Sequence, residues 1–320
     1  MATPHAARPD RRARGRLRRH PGDQQAWLAY ADVLRARGDE RGEFVLRTHR
    51  VAGGGADPED AAWWAALDQR YQGWMRELKA TVPHAHQLRV LDWSYGFATR
   101  AAALTVEAFA ALCDSPFGAL LGTVGFPALD AAEAHDLAHA PALAQLCRLA
   151  LRGLPDPDVQ AVVARGGGLA ELALHRCTLG PGAVSAVAAL PLEALQILEA
   201  TVGDDGALAL AVADAPIRRL HLSRCWIGPR GAGGIGTMQA LEWLDLGHNP
   251  LQDDGLAALL GLPNLRQLRI PAAHVTEAGL RALLSPDALP SLRRLQLDDD
   301  LSAPLRDALD ARGVSVYFGP

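Results

Sequence analysis

One pattern constrains this chain more than any other. The motif L-x-x-L-x-L recurs at Leu146/Leu149/Leu151, Leu169/Leu172/Leu174, Leu192/Leu195/Ile197, Ile217/Leu220/Leu222, Leu241/Leu244/Leu246, Leu265/Leu268/Ile270 and Leu292/Leu295/Leu297. A degenerate copy, Leu121/Val124/Phe126, precedes them, and successive starts lie 23 to 27 residues apart. The L-x-L core alternates with period two, as a short strand with one buried face must. Three residues later comes a position pointing into the turn (Cys177, Ala200, Cys225, Asn249, Ala273), then a second apolar residue (Leu179, Val202, Ile227, Leu251, Val275). A helical segment follows, as in 253–260 and 276–283, where Thr276 is placed to cap. No copy can bury its own apolar face, so neighbours must stack.

This spacing resembles leucine-rich repeats, and the resemblance covers residues 116–320. Copies of this length with helices resemble the ribonuclease-inhibitor-like branch. That implies an α/β solenoid of about eight repeats, with a curved parallel sheet on the concave side and helices outside. Val314–Phe318 is expected to close the far end as a last strand.

Upstream the sequence changes character, with five of the seven tryptophans before residue 94. Asp23 is placed to cap a helix carrying Trp27, Leu28, Ala31 and Leu34, and Gly38 to end it. A second helix is expected around Phe44–Val51. A third begins at Asp57-Pro58, with Trp64, Leu67, Tyr71, Trp74 and Leu78 on one stripe. The stretch from Leu28 to Phe44 resembles a bacterial repeat-companion domain, found beside repeat arrays in myxobacteria and planctomycetes, whose hallmark reads roughly Y-A-D-W-L-E-E-R-G-D-P-R-G-E-F. Tyr30, Ala31, Asp32, Leu34, Arg37, Gly38, Asp39, Arg41, Gly42, Glu43 and Phe44 match; Val33, Arg35, Ala36 and Glu40 depart from it. Trp93-Ser94-Tyr95-Gly96-Phe97 is similar to the aromatic-Gly-Phe segment that precedes the repeats in such proteins. The expected organisation is an Arg-rich tail at 1–20, a helical companion and capping region at 21–115, and the repeats at 116–320.

Composition sets the class. A hydrophobic share of 49% with a net charge of only -4 belongs to a folded chain. No stretch approaches a membrane span. The four cysteines are dispersed without a CxxC pair, and no apolar stretch follows the arginines of the N-terminus. Both features point to reduced thiols and a cytoplasmic location. Cys177 and Cys225 share one repeat position two copies apart, roughly 10 Å at strand spacing and too far for a disulfide. Buried thiols donating to the turn backbone are expected there.

Several constellations invite a chemical reading. His135 and His139 stand at i and i+4, the spacing of two metal ligands on a helix, but Asp136 occupies the place of a metalloprotease glutamate. A metal-dependent enzyme using this pair is the rival from another class; a surface helix is the plainer account. His84 and His86 read as a connector beside Pro83, and Asp298-Asp299-Asp300 lacks the Gly and distal Glu of a calcium loop. No GxSxG, P-loop or GxGxxG followed by a helix occurs, so neither catalysis nor a cofactor is expected. The arginines from Arg8 to Arg19 offer phosphate contacts and a nucleic-acid alternative, but no aromatic is interleaved among them.

The outward strand positions indicate where a protein partner would sit. The first column runs Arg148, Glu171, Ala194, Arg219, Trp243, Gln267, Arg294; the second runs Ala150, Ala173, Gln196, His221, Asp245, Arg269, Gln296. Arg176, Glu199, Arg224, His248, Ala272 and Asp299 come just past the strands. Arg219, His221, Arg224, Trp243, Asp245, His248 and Arg269 form the central cluster, and Trp and Arg are the side chains most often found at energetic centres of interfaces. The sequence therefore predicts a non-catalytic scaffold that binds a protein on its concave face, with membranes, nucleic acids and small-molecule substrates not expected as partners.

Overall fold

A computed structural model describes residues 7–54, 66–213, 215–271, 273–298 and 301–319. The expected helix start at Asp57-Pro58, together with Trp63, Trp64, Ala272, Asp299 and Asp300, lies outside these residues. The chain divides into two compact units, one of residues 1–127 and 140–148, the other of residues 128–139 and 149–320.

The first unit begins with helices α1 (Ala7–Arg19), α2 (Gln24–Ala36) and α3 (Glu40–Ala52), followed by α4 (Leu67–Thr81). Leu17 of α1 is fully buried with Trp27, Tyr30 and Leu34 of α2, so the arginines of this segment lie on a packed helix. Asp23 caps α2 by accepting from the Ala26 N–H at 2.9 Å, and Gly38 follows its end at φ +73°. Strands β1 (Leu88–Ser94) and β2 (Phe97–Ala103) pair antiparallel as a hairpin that the helical description of this region did not include. Tyr95 and Gly96 form its turn with φ of 50° and 80°, the two consecutive positive values of a tight hairpin. Helix α5 (Val106–Asp114) and strand β3 (Thr123–Phe126) follow, and β3 pairs parallel with β2.

Most of the companion-like motif has structural work in this unit. A Cβ at Gly42 would come within 2.7 Å of the Ala31 carbonyl oxygen, so only glycine permits this approach of α3 to α2. Asp39 caps α3 and pairs with Arg41, which also donates to the Pro116 carbonyl at 3.1 Å and stacks 4.0 Å from the Phe97 ring centre. Phe44 meets Trp74 and Tyr95 edge-on at 5.0 and 6.0 Å, contacts worth roughly 1 kcal/mol each beyond their buried area. Asp32 is exposed.

The second unit repeats strand, turn and helix. Its elements are α6 (Ala131–His139), β4 (Arg148–Arg152), α7 (Asp156–Arg165), β5 (Glu171–His175), α8 (Pro181–Ala188), β6 (Ala194–Leu198), α9 (Gly203–Val212), β7 (Arg219–Ser223) and α10 (Pro229–Ile235). They continue with β8 (Trp243–Asp245), α11 (Gln252–Leu259), β9 (Gln267–Arg269), α12 (Glu277–Leu280), β10 (Arg294–Leu297), α13 (Ala303–Ala311) and β11 (Ser315–Phe318). Strands β4 to β11 lie side by side in chain order, and every pair from β5 onward is parallel. The core leucines of each copy are buried, while the residues between them stay outward.

The turn column explains the stacking. The Asn249 carboxamide accepts from the Cys225 and Ile227 N–H groups at 2.9 and 3.1 Å and donates to three carbonyls, of Leu222, Leu246 and Gly247. At the same position the Cys225 thiol donates to Ile197 and Ser223 carbonyls at 3.2 and 3.3 Å, and burial pushes it up to about 12. Cys177 does likewise more weakly. A second ladder was not foreseen. Asp156 accepts from the N–H groups of Gly180 and Ala183, and Asp204 from those of Gly228 and Gly231, so each carboxylate caps the helix one repeat further on. Asp253 does the same for Thr276, which in turn caps α12 through its own hydroxyl.

Candidate functional site

Parallel register turns the two outward columns into two rows. Arg219 pairs with Trp243 and Trp243 with Gln267; one step along the strands, Gln196 pairs with His221, His221 with Asp245, and Asp245 with Arg269. Residues 24 or 25 apart in sequence thus become neighbours at about 4.8 Å.

Asp245 is the centre of the second row. It is 2% exposed, and its carboxylate meets His221 Nε2 at 3.1 Å, the Arg269 guanidinium at 3.1 Å and the Gly247 N–H at 2.8 Å. The carboxylate is therefore paired on every side, as a buried charge has to be. The sequence placed it on the open face; the structure sinks it between its two neighbours. His221 Nδ1 lies 3.3 Å from the Gln196 amide nitrogen, so a neutral ring accepts at Nδ1 and turns its Nε2–H to Asp245. Burial holds the His221 pKa below the usual histidine value; Asp245 opposes this, and Arg269 reinforces it.

Trp243 is half-buried, its ring edge-on to His221 at 5.5 Å. Arg219 is exposed and reaches over two strands to Glu171 at 2.6 Å. Arg224 and His248 follow their strands at φ of 56° and 57°, as do Arg176 and Glu199 at 54° and 53°. This left-handed residue turns the chain out of each strand and leaves its side chain at the rim. Arg176 holds the exposed Glu199 carboxyl below its ordinary value through a 2.7 Å hydrogen bond. A shallow hollow of about 220 Å³ opens above the second row, walled by Glu199, Arg224, His248 and Pro271.

Two of these copies, residues 215–236 and 238–260, match the family described as Leucine Rich repeat. The fold is a leucine-rich-repeat solenoid. No curated protein matches the chain. Among solved structures it is similar to an internalin, InlF, from Listeria monocytogenes, at 12% identity and a TM-score of 0.42 over 66% of this chain and 69% of that one. It is also similar to a chain of the yeast Rad7 and Elc1 complex, at 13% identity and a TM-score of 0.38 over 88% of this chain and 93% of that one.

Among the described residues, none of the remaining sequence candidates lies on a repeat strand. His135 and His139 stack at 4.3 Å on α6, with His139 Nδ1 2.8 Å from the His135 carbonyl oxygen. His84 lies 3.5 Å from Glu107, and the rings of His84 and His86 are 6.4 Å apart. Among the described residues no group of three or more His, Cys, Asp or Glu gathers as a metal site would require, and no helix is long and apolar enough to cross a membrane. Arg18, one of the N-terminal arginines, donates to the Ala119 carbonyl and the Gln145 side chain. Sequence reasoning missed Trp226, which is 72% exposed; it stands one residue past the turn column at Cys225, outside the strand columns that were searched.

Proposed function

We propose that the outward strand face of the repeats binds a protein partner and carries out no chemistry, as a cytoplasmic interaction scaffold. The observation that supports this most is the register-built patch itself, in which Arg219, Trp243, His221, Asp245 and Arg269 stand side by side on three adjacent strands, with Arg224 and His248 at its rim. A half-buried Trp among arginines braced by carboxylates is pre-organised, so little side-chain entropy is lost when a partner lands on it. Both nitrogens of His221 are already engaged, which suits a recognition surface better than a general base.

The test is affinity capture from native lysate with wild type and a Trp243→Ala, Arg219→Ala double variant. Arg269 is left intact because it neutralises Asp245. A protein retained by wild type and lost by the folded variant supports the reading; equal recovery by both moves the interface elsewhere.

A further inference from the structure

We infer that the solenoid carries a second recognition element, a slot between Trp226 and His274 that takes an extended acidic peptide segment bearing an apolar side chain. The inference rests on the protein-binding reading and supplies the chemistry of the partner.

Trp226 and His274 occupy the same turn position in copies two repeats apart, with Pro250 between them, so the walls stand roughly 10 Å apart. Both have left-handed backbones, at φ 61° and 56°, whereas Thr178 and Thr201 at the equivalent positions do not. Histidine tolerates that region, but a tryptophan there is an outlier, additional to the left-handed residue that ends the strand at Arg224. Here the backbone holds an indole outward with 72% of its surface in solvent, among the largest apolar exposures of the described residues.

The open hollow beside it, of about 400 Å³, is lined by Arg224, Trp226, His248, Asn249, Pro250 and His274. No carboxylate lines it. The Asn249 amide is consumed by the turn, so the polar side chains left for a ligand are one guanidinium and two imidazoles. Arg224 draws on Glu199 electrostatically but forms no ion pair with it. A slot spanning two repeats, with Arg224 and His248 on the strand side and the Trp226 indole facing His274 across it, is complementary to a carboxylate followed by an apolar side chain in an extended chain. Arg224 and His248 also wall the hollow above Asp245, so such a segment could continue directly onto the strand face.

The experiment measures fluorescence anisotropy of a labelled peptide of about twelve residues, alternating Asp or Glu with Phe or Leu, against the full chain. The control is the same peptide with Lys at every acidic position. The acidic peptide should bind, with the Lys peptide about tenfold weaker, and Arg224→Gln and Trp226→Asn should each weaken the acidic peptide about fivefold or more. Asn tolerates the left-handed backbone, so loss in Trp226→Asn reports on the indole and not on the turn. Trp243→Ala with Arg219→Ala should leave the peptide bound. No preference for the acidic peptide, or full binding by Trp226→Asn, overturns the slot. Loss of peptide only in the Trp243, Arg219 variant also overturns it, while leaving the strand-face reading intact.

Discussion

Asp245 and Arg269 meet at 3.1 Å across adjacent strands, with the carboxylate 3% exposed at its side chain and the guanidinium 25% exposed. The two do not contribute symmetrically. Replacing the carboxylate leaves a guanidinium that can still reach water, whereas replacing the guanidinium leaves a buried anion held only by the His221 ring and the Gly247 N–H.

Arg269→Gln should therefore cost about 3 kcal/mol, the lower end for breaking a buried pair, because the His221 ring and the Gly247 N–H still hold the carboxylate. Asp245→Asn should cost less, since the guanidinium left behind reaches water. Urea unfolding of the two variants checks the order; a larger loss for Asp245→Asn would contradict the assignment of Asp245 as the buried charge that Arg269 neutralises.

His221 predicts a pH dependence. Its folded pKa lies below the unfolded value of about 6.5, so below that pH the unfolded chain takes up a proton that the folded chain resists. Its contribution to stability is complete above about pH 6.5 and declines as pH falls toward the folded pKa. His221→Gln should flatten this part of the profile relative to wild type when unfolding midpoints are compared at about pH 5.5 and 7.5. In Arg269→Gln the His221 pKa should rise, since burial alone then opposes Asp245; an NMR titration of the ring reads this directly.

The turn column gives a ranking. Asn249→Ala takes the acceptor from two buried N–H groups, of Cys225 and Ile227, and should cost about 3 kcal/mol, since each unsatisfied buried group costs about 1–3. Cys225→Ala removes only a weak thiol donor and a little volume, at about 1 kcal/mol. Equal costs would mean that the amide network does not hold the repeats in register.

The carboxylate ladder should behave additively. Asp156→Ala and Asp204→Ala each remove a cap from a neighbouring helix, at about 1 kcal/mol apiece, and two repeats separate them. The double variant should lose the sum. A strongly super-additive loss would show that the two caps share one cooperative unit.

The repeats were legible because leucine spacing is dictated by burial, and burial has a period. The same periodicity placed His221, Asp245 and Arg269 in one outward column, and Thr276 and Asp23 were legible as caps because their acceptor roles are local. What escaped depends on residues one repeat away. Nothing near Asp204 in the chain announces that its carboxylate serves Gly228 and Gly231, and nothing around Asp245 announces that His221 and Arg269 bury it. The hairpin at 88–103 was hidden because its exposed strand β1 lacks a clean alternation. Trp226 was hidden because only the backbone angle at its turn turns the indole outward.

The most direct test of the strand face as the binding surface is site-specific photo-crosslinking in cells. One variant carries the crosslinker in place of Gln267, the neighbour of Trp243 on the next strand, the other in place of Ala257, an exposed residue of helix α11. The account predicts a discrete protein adduct from position 267 and none of the same mass from position 257. An adduct from 257 alone would place the partner on the helical side and contradict it.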